Sequence, residues 1–186
     1  VLVMNREKLV NAIIYFCNNT QGCMKTKLFK LLYLLDFEHF KKTGKSVTGL
    51  DYNAWDRGPV PQELYYEFNE PKEDFLEKLD FKTDPVDGYF YIDPKTSFDE
   101  TIFTQRELEL LKTLSENHKY DLAKDLVTKT HEDEKPWDKT LKEKGRNSII
   151  DYSLILEEDD AISKEEAKFI SEEINDAQLF KKALTS

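Results

Sequence analysis

Histidine beside a carboxylate is the arrangement in this sequence that could most readily do chemistry near neutral pH. His39 lies three residues after Asp36, so a helix would place the imidazole and the carboxylate on one face. Such a pair could bind a metal ion or move a proton. The same spacing also suits a polar pair that anchors neighbouring loops, because buried polar groups are normally hydrogen-bonded. We therefore predict a structural role for Asp36 and His39.

The other two histidines complete no catalytic or metal-binding set. We expect His118 to be exposed at a helix end, and His131 has acidic neighbours but no second histidine at ligand spacing. The sequence also has no nucleophile elbow and no glycine-rich phosphate loop. It therefore predicts a protein that is not an enzyme and that carries no metal or cofactor. An enzyme built around Asp36 and His39 is the alternative, and it would need an open pocket lined by both side chains.

A cluster of aromatic and cationic residues favours binding over catalysis. Tyr, Trp and Arg are enriched at the energetic centres of protein interfaces, and here they surround a rigid Gly-Pro-Val-Pro turn. Each residue alone could simply complete the core. Together they form the candidate surface for a protein partner, whose members are Tyr52, Trp55, Arg57, Pro59, Tyr65 and Tyr66.

Helices must position these residues. Asn5 is a suitable cap for a helix to about Asn18, and a second helix is predicted over about 26–42, where Gly44 ends it. The second helix is apolar on nearly all sides, which is typical of a helix at the centre of a core.

The remaining pattern predicts further helices and a small β element. A strand-like stretch at 47–55 and a turn at 57–61 precede a short helix, and Asp87-Gly88 before an aromatic run indicates a β-hairpin or ribbon. Capping boxes at Thr104–Glu107 and Ser163–Glu166 begin two later helices. We expect a mainly α fold with a small β element (α+β), forming a single compact helical domain over residues 1–186.

The distribution of charge limits the classes of partner. The net charge of −10 argues against general affinity for nucleic acid. Residues 1–60 nevertheless carry a net charge of +4 and the rest −14, so the two parts could hold each other or present an acidic face to a basic partner. A DNA-binding repressor using Lys25, Lys27 and Lys30 is an alternative. DNA is not the expected partner, because the second helix is too apolar to expose a recognition face.

The expected location is the cytoplasm, without a membrane partner. Cys17 and Cys23 match neither a zinc nor a redox spacing and are interpreted as reduced thiols. No apolar run approaches the roughly 18 residues that a membrane span requires.

One block of sequence resembles the Panacea domain family, the SocA-like or phage-associated GepA-like antitoxins. It follows the family's "KLxKLLYxxDxxH…G…xGxxYxAxxxGPV" pattern from Lys27 to Pro61. Looser matches are Thr130–Trp137, similar to "SHxExPW", and Ile150-Asp151-Tyr152. The resemblance spans about residues 8–157 and leaves a C-terminal helix at about 163–184 outside it.

The resemblance implies an antitoxin that neutralises a cognate protein toxin by direct binding. One branch of the family resembles a protease adaptor that delivers its toxin for degradation, so a protease or chaperone is an alternative partner. These roles come from the resemblance and not from spacing or periodicity.

Overall fold

The N-terminal half is organised around two helices. The structure is a computed structural model that describes residues 4–130 and 135–184. Helix α1 spans Arg6–Asn19, and the Asn5 side chain accepts a hydrogen bond from the Lys8 amide at its start. Helix α2 spans Lys25–Thr43 and ends at Gly44, whose left-handed backbone (φ +69°) suits glycine. The predicted bounds of both helices are confirmed to within one residue.

Helix α2 is the centre of the core, as its apolar pattern predicted. Twelve of its nineteen residues are buried, and it packs against helix α1, against later helices and strands, and against the chain near Tyr152. A helix surrounded in this way fixes the positions of every element that contacts it, so residues on α2 are held rigidly.

The first β-hairpin was not predicted. Strands β1 (Asn53–Trp55) and β2 (Gly58–Val60) pair antiparallel across the turn residues Asp56 and Arg57. The expected proline turn at 57–61 is therefore wrong in part, because Pro59 lies within a strand, opposite Ala54. Proline is tolerated there because β2 is an edge strand.

A late segment of the chain supports the other edge of β1. The amide of Ala54 donates to the Ser148 carbonyl (2.9 Å), the amide of Asn147 donates to the Ala54 carbonyl (2.8 Å), and the amide of Ile150 donates to the Tyr52 carbonyl (2.8 Å). Residues 147–150 thus act as a third strand, although almost a hundred residues separate them from β1 along the chain.

The remaining elements complete a mainly α fold with two small antiparallel sheets, which confirms the predicted fold class. After β2 come α3 (Gln62–Glu67), α4 (Glu73–Lys78), which was not predicted, and a second hairpin of β3 (Leu79–Thr83) and β4 (Phe90–Pro94). The helices that follow are α5 (Gln105–Asn117), α6 (Ala123–Thr130), α7 (Pro136–Lys144) and α8 (Lys164–Leu184). The described part of the chain includes no helix long and apolar enough to span a membrane.

Ion pairs connect the basic start of the chain to its acidic remainder. The Arg6 guanidinium binds Glu67 (2.6 Å) and Asp74 (2.7 Å), and Lys8 binds Glu107 (2.7 Å). These contacts link α1 to three later helices. Part of the charge difference between residues 1–60 and the rest of the chain is therefore neutralised by ion pairs within the protein.

Candidate functional site

A cavity of about 590 Å³ lies between the start of α2, the β1–β2 hairpin, α3 and α6. We call it the basic cleft. Its lining combines lysine and arginine with aromatic and aliphatic side chains, and the described residues that line it include no carboxylate. They are Lys25, Thr26, Phe29, Lys30, Trp55, Arg57, Val60, Tyr65, Ala123, Lys124 and Val127.

Lys30 is the least accessible cation of the cleft. It is 1% exposed, and its Nζ donates to the Pro59 carbonyl at 2.7 Å. Burial lowers the pKa of Lys30 to about 7, because the low-dielectric surroundings penalise the ammonium form. A lysine with a carboxylate beside it would instead have its charge stabilised.

Lys25 lies at the first turn of α2, against the rim of the cleft. Its Nζ is 3.7 Å from the centroid of the Tyr65 ring and donates to the Tyr65 carbonyl at 3.2 Å. This cation–π contact orients the tyrosine. Burial also lowers the pKa of Lys25.

The hairpin presents its aromatic side chain in a fixed orientation. The Trp55 indole donates to Asn147 Oδ1 (2.9 Å), and the Trp55 carbonyl accepts from the Trp137 indole (2.9 Å). The Trp55 and Tyr65 rings meet edge to face, with centroids 5.0 Å apart. Residues from distant segments of the chain therefore hold Trp55 in one orientation in the wall of the cleft.

A second, shallower cavity of about 420 Å³ adjoins the cleft and shares Trp55, Arg57 and Val60 with it. Tyr66, 56% exposed, lines this side. An ion pair between Asp56 and Arg146 (2.8 Å) lies on the same face. The two cavities form one continuous surface around the hairpin.

The structure separates the six predicted binding residues into two groups. Trp55, Arg57, Tyr65 and Tyr66 lie together on this surface, and we call these four residues the hairpin face. Tyr52 and Pro59 are buried instead. Their assignment to a contact surface is corrected, because Tyr52 donates a hydrogen bond to Asp36 in the core and Pro59 supplies the carbonyl that holds Lys30.

Sequence reasoning missed Lys30 and Lys124 as members of the site. Lys30 was interpreted as part of a possible DNA-recognition helix, and Lys124 comes from α6, distant in sequence. The lining residues come from three segments near residues 25–30, 55–65 and 123–127. Only the packing of α2 against β2 and α6 brings these segments together, so no local pattern could have indicated the cleft.

Asp36 and His39 both form hydrogen bonds with the loop that follows α2, but they bind different parts of it. Asp36 accepts from the Val47 and Thr48 amides (2.8 and 2.7 Å), from the Thr48 hydroxyl and from Tyr52 (2.7 Å). Burial nevertheless raises the pKa of Asp36 to about 6.

His39 contacts the Lys45 carbonyl through Nδ1 (2.7 Å), and burial lowers its pKa. It lines a cavity of about 620 Å³ that Asp36 does not line. The open pocket shared by both side chains, which the enzyme alternative required, is therefore not formed by these two residues.

The other histidine expectations have different outcomes. His118 was expected to be exposed but is 8% exposed, because Nδ1 lies 2.7 Å from Asp121 Oδ2 at the end of α5. His131 lies outside the described residues. Cys17 and Cys23 are both free and half-buried.

The basic recognition helix of the DNA-binding alternative is not available on α2. Lys27 is 1% exposed and donates to the carbonyls of Gln21 (2.7 Å) and Lys119 (3.2 Å), and Lys30 is equally buried. Two of the three lysines that this alternative needs therefore bind backbone oxygen inside the protein and are not displayed on an exposed helix face that could enter a DNA groove.

The family comparison matches the segment that contains most of this site. A family model described as antitoxin SocA-like, Panacea domain, matches residues 28–138, from α2 to α7. The matched segment includes the hairpin face and α6, and α8 lies outside it. No curated protein and no solved structure matched the chain. Because the match covers more than half of its length, the chain belongs to the SocA-like antitoxin family with a Panacea domain.

Proposed function

We propose that this protein neutralises a cognate protein toxin in the cytoplasm by binding it directly, and that it acts by binding and not by catalysis. The observation that carries the proposal is the hairpin face, where Trp55, Arg57, Tyr65 and Tyr66 surround adjoining cavities. Residues of these types supply most of the binding energy at protein interfaces. Membership of an antitoxin family supports the same role.

The rigidity of the hairpin also supports this surface. Its indole, its backbone and its turn are each bound by residues 137–150. A surface that is ordered before binding loses little conformational entropy when a partner docks, which favours affinity. The partner would be a protein whose surface packs against the hairpin face.

Co-expression with the product of the neighbouring open reading frame tests the proposal. That product should stop growth alone and be harmless beside the wild-type protein. The double substitution R57A/Y66A should restore toxicity and weaken capture of the toxin at least tenfold, since hot-spot truncations cost about 2 kcal/mol or more each.

The control is R106A/Y89A, which removes the same residue types from other exposed positions, Tyr89 being 53% exposed. It should neutralise normally. A neighbour that is harmless alone, or that stays toxic beside the wild type, would contradict the antitoxin role. Full neutralisation by R57A/Y66A would contradict only the choice of surface.

The lifetime of the toxin distinguishes masking from delivery to a protease. Masking by direct contact predicts that the toxin accumulates in a stable complex with this protein. Delivery predicts a shorter toxin half-life that depends on a cellular protease. A pulse-chase measurement in cells with and without the antitoxin separates the two.

A further inference from the structure

The described residues that line the basic cleft include four cationic side chains and no acidic one. The cations are Lys25, Lys30, Arg57 and Lys124, and in the described part of the chain no carboxylate of the lining pairs with them. The cationic side chains of α1, by contrast, form ion pairs. Arg6 binds two carboxylates and Lys8 binds one. The cleft therefore has the electrostatic character of an anion site.

The start of α2 adds to this charge. Lys25 and Thr26 are its first two residues and line the cleft, and the first turn contains no acidic residue. Met24, at the N-cap, provides no side-chain hydrogen bond to the first turn. The amide groups and dipole of a nineteen-residue helix thus add a partial positive charge where the lysines already lie.

Lys30 gives a separate indication of a missing partner. An ammonium has three donors, and the structure records one acceptor for Lys30, the Pro59 carbonyl. Placing an ammonium in the interior without a carboxylate is unfavourable. An anion that entered the cleft would complete its coordination.

The apolar part of the lining indicates what the anion is attached to. Phe29, Trp55 and Tyr65 supply three aromatic rings, and Val60 and Val127 supply aliphatic surface. A volume of about 590 Å³ lies within the usual range for small-molecule sites. Aromatic side chains stack on the planar bases of nucleotides, whichever the base.

We propose that the basic cleft binds a nucleoside phosphate, with its phosphates against Lys25, Lys30 and the first turn of α2 and its base against the aromatic wall. A polyphosphate fits four cations better than a single carboxylate would, because it carries several negative charges. This inference goes beyond toxin binding and does not require a toxin.

Titration calorimetry on the full chain at low salt tests the proposal. The probes are ATP, GTP, CTP and UTP, with adenosine and inorganic phosphate as the two halves of the ligand. At least one nucleotide should bind, and at least tenfold more tightly than phosphate or adenosine. Raising the salt concentration should weaken binding steeply.

Two substitutions locate the site. K30M replaces the buried amine by an apolar chain of similar length, and R57A removes an exposed cation from the β1–β2 turn. Each should weaken nucleotide binding at least tenfold, and R106A, an exposed arginine elsewhere, should leave it unchanged. Circular dichroism shows whether K30M folds, and R57A provides the same test independently because Arg57 lies on the surface.

The proposal is overturned if all four nucleotides fail to bind, or if phosphate or adenosine binds as tightly as the best nucleotide. It is also overturned if R57A binds as well as the wild type. Toxin neutralisation is measured separately, so failure here leaves the proposed antitoxin role untouched.

Discussion

Asp36 shows how a single buried carboxylate can fix a loop. It is fully buried and accepts four hydrogen bonds, two from backbone amides at 47–48 and two from hydroxyl groups. These contacts turn the chain after α2 and direct it towards β1. The position of the hairpin face therefore depends on a carboxylate that is buried in the core.

The same carboxylate should make stability depend on pH. Its pKa is raised in the folded protein to about 6 from 3.8, so folding favours the protonated form. This stabilising contribution is complete below pH 3.8 and is lost as the pH rises to about 6. Relative to D36N, which cannot titrate, the wild type should lose about 2 kcal/mol between pH 4 and pH 7.

Urea unfolding at both pH values measures this difference. D159N, a substitution at an exposed acid, serves as the control and should follow the wild type. Parallel pH profiles for D36N and the wild type would show that Asp36 has the same pKa in the folded and unfolded states.

At the scale of elements, α8 is divided into an anchored and a projecting part. Ala167 is buried, and Ile170 packs closely against Gly44 at the end of α2. Further along, Leu179, Phe180 and Leu184 are 66–72% exposed. We therefore expect the first half of α8 to supply the contribution of this helix to the free energy of unfolding.

Truncation tests this division. A chain that stops after Asn175 should melt within about 2 °C of the full chain, because the projecting part buries little apolar surface. A167D should lower the midpoint by several degrees, since it places a carboxylate in a buried position. An equal loss in both variants would show that the distal turns also pack.

Helices were easier to predict from this sequence than strands. Asn5, Gly44 and Thr104 each act within one helical turn of their own position, so local pattern placed the first two helices and the start of α5 correctly. The β1–β2 hairpin was missed because Gly58, Pro59 and Pro61 were interpreted as a turn that ended the strand-like stretch at 47–55. Its pairing with residues 147–150 cannot be inferred from nearby residues.

Local pattern also predicted the part of the candidate site whose residues are close together in sequence. Trp55, Arg57, Tyr65 and Tyr66 lie close together in sequence and also in the structure. Lys30 could not be assigned, because the pattern showed that α2 was buried but not which of its lysines would lie at a cavity.

Across the whole molecule, ion pairs between the basic and acidic parts of the chain hold α1 in place. Arg6 is central, since Glu67, one of its two partners, has only 5% of its side chain exposed. R6A should therefore lower the free energy of unfolding by about 2–4 kcal/mol, because it leaves a buried carboxylate without its guanidinium.

Chemical denaturation of R6A beside K82A checks this prediction. Lys82 also binds a carboxylate, that of Asp93, but both side chains are about 60% exposed, and solvent screens an exposed pair so that it contributes little to stability. Similar losses in the two variants would mean that burial does not set the strength of these pairs.

The pairing of β1 with residues 147–150 has a consequence for synthesis. A ribosome releases the chain from its N-terminus, so Trp55 emerges long before Asn147, which holds its indole. The nascent chain must carry the hairpin without this support until residues 147–150 have been translated. The supported form of the hairpin should therefore arise only after Asn147 has been added, and a chain cut before residue 147 should hold the Trp55 indole less firmly.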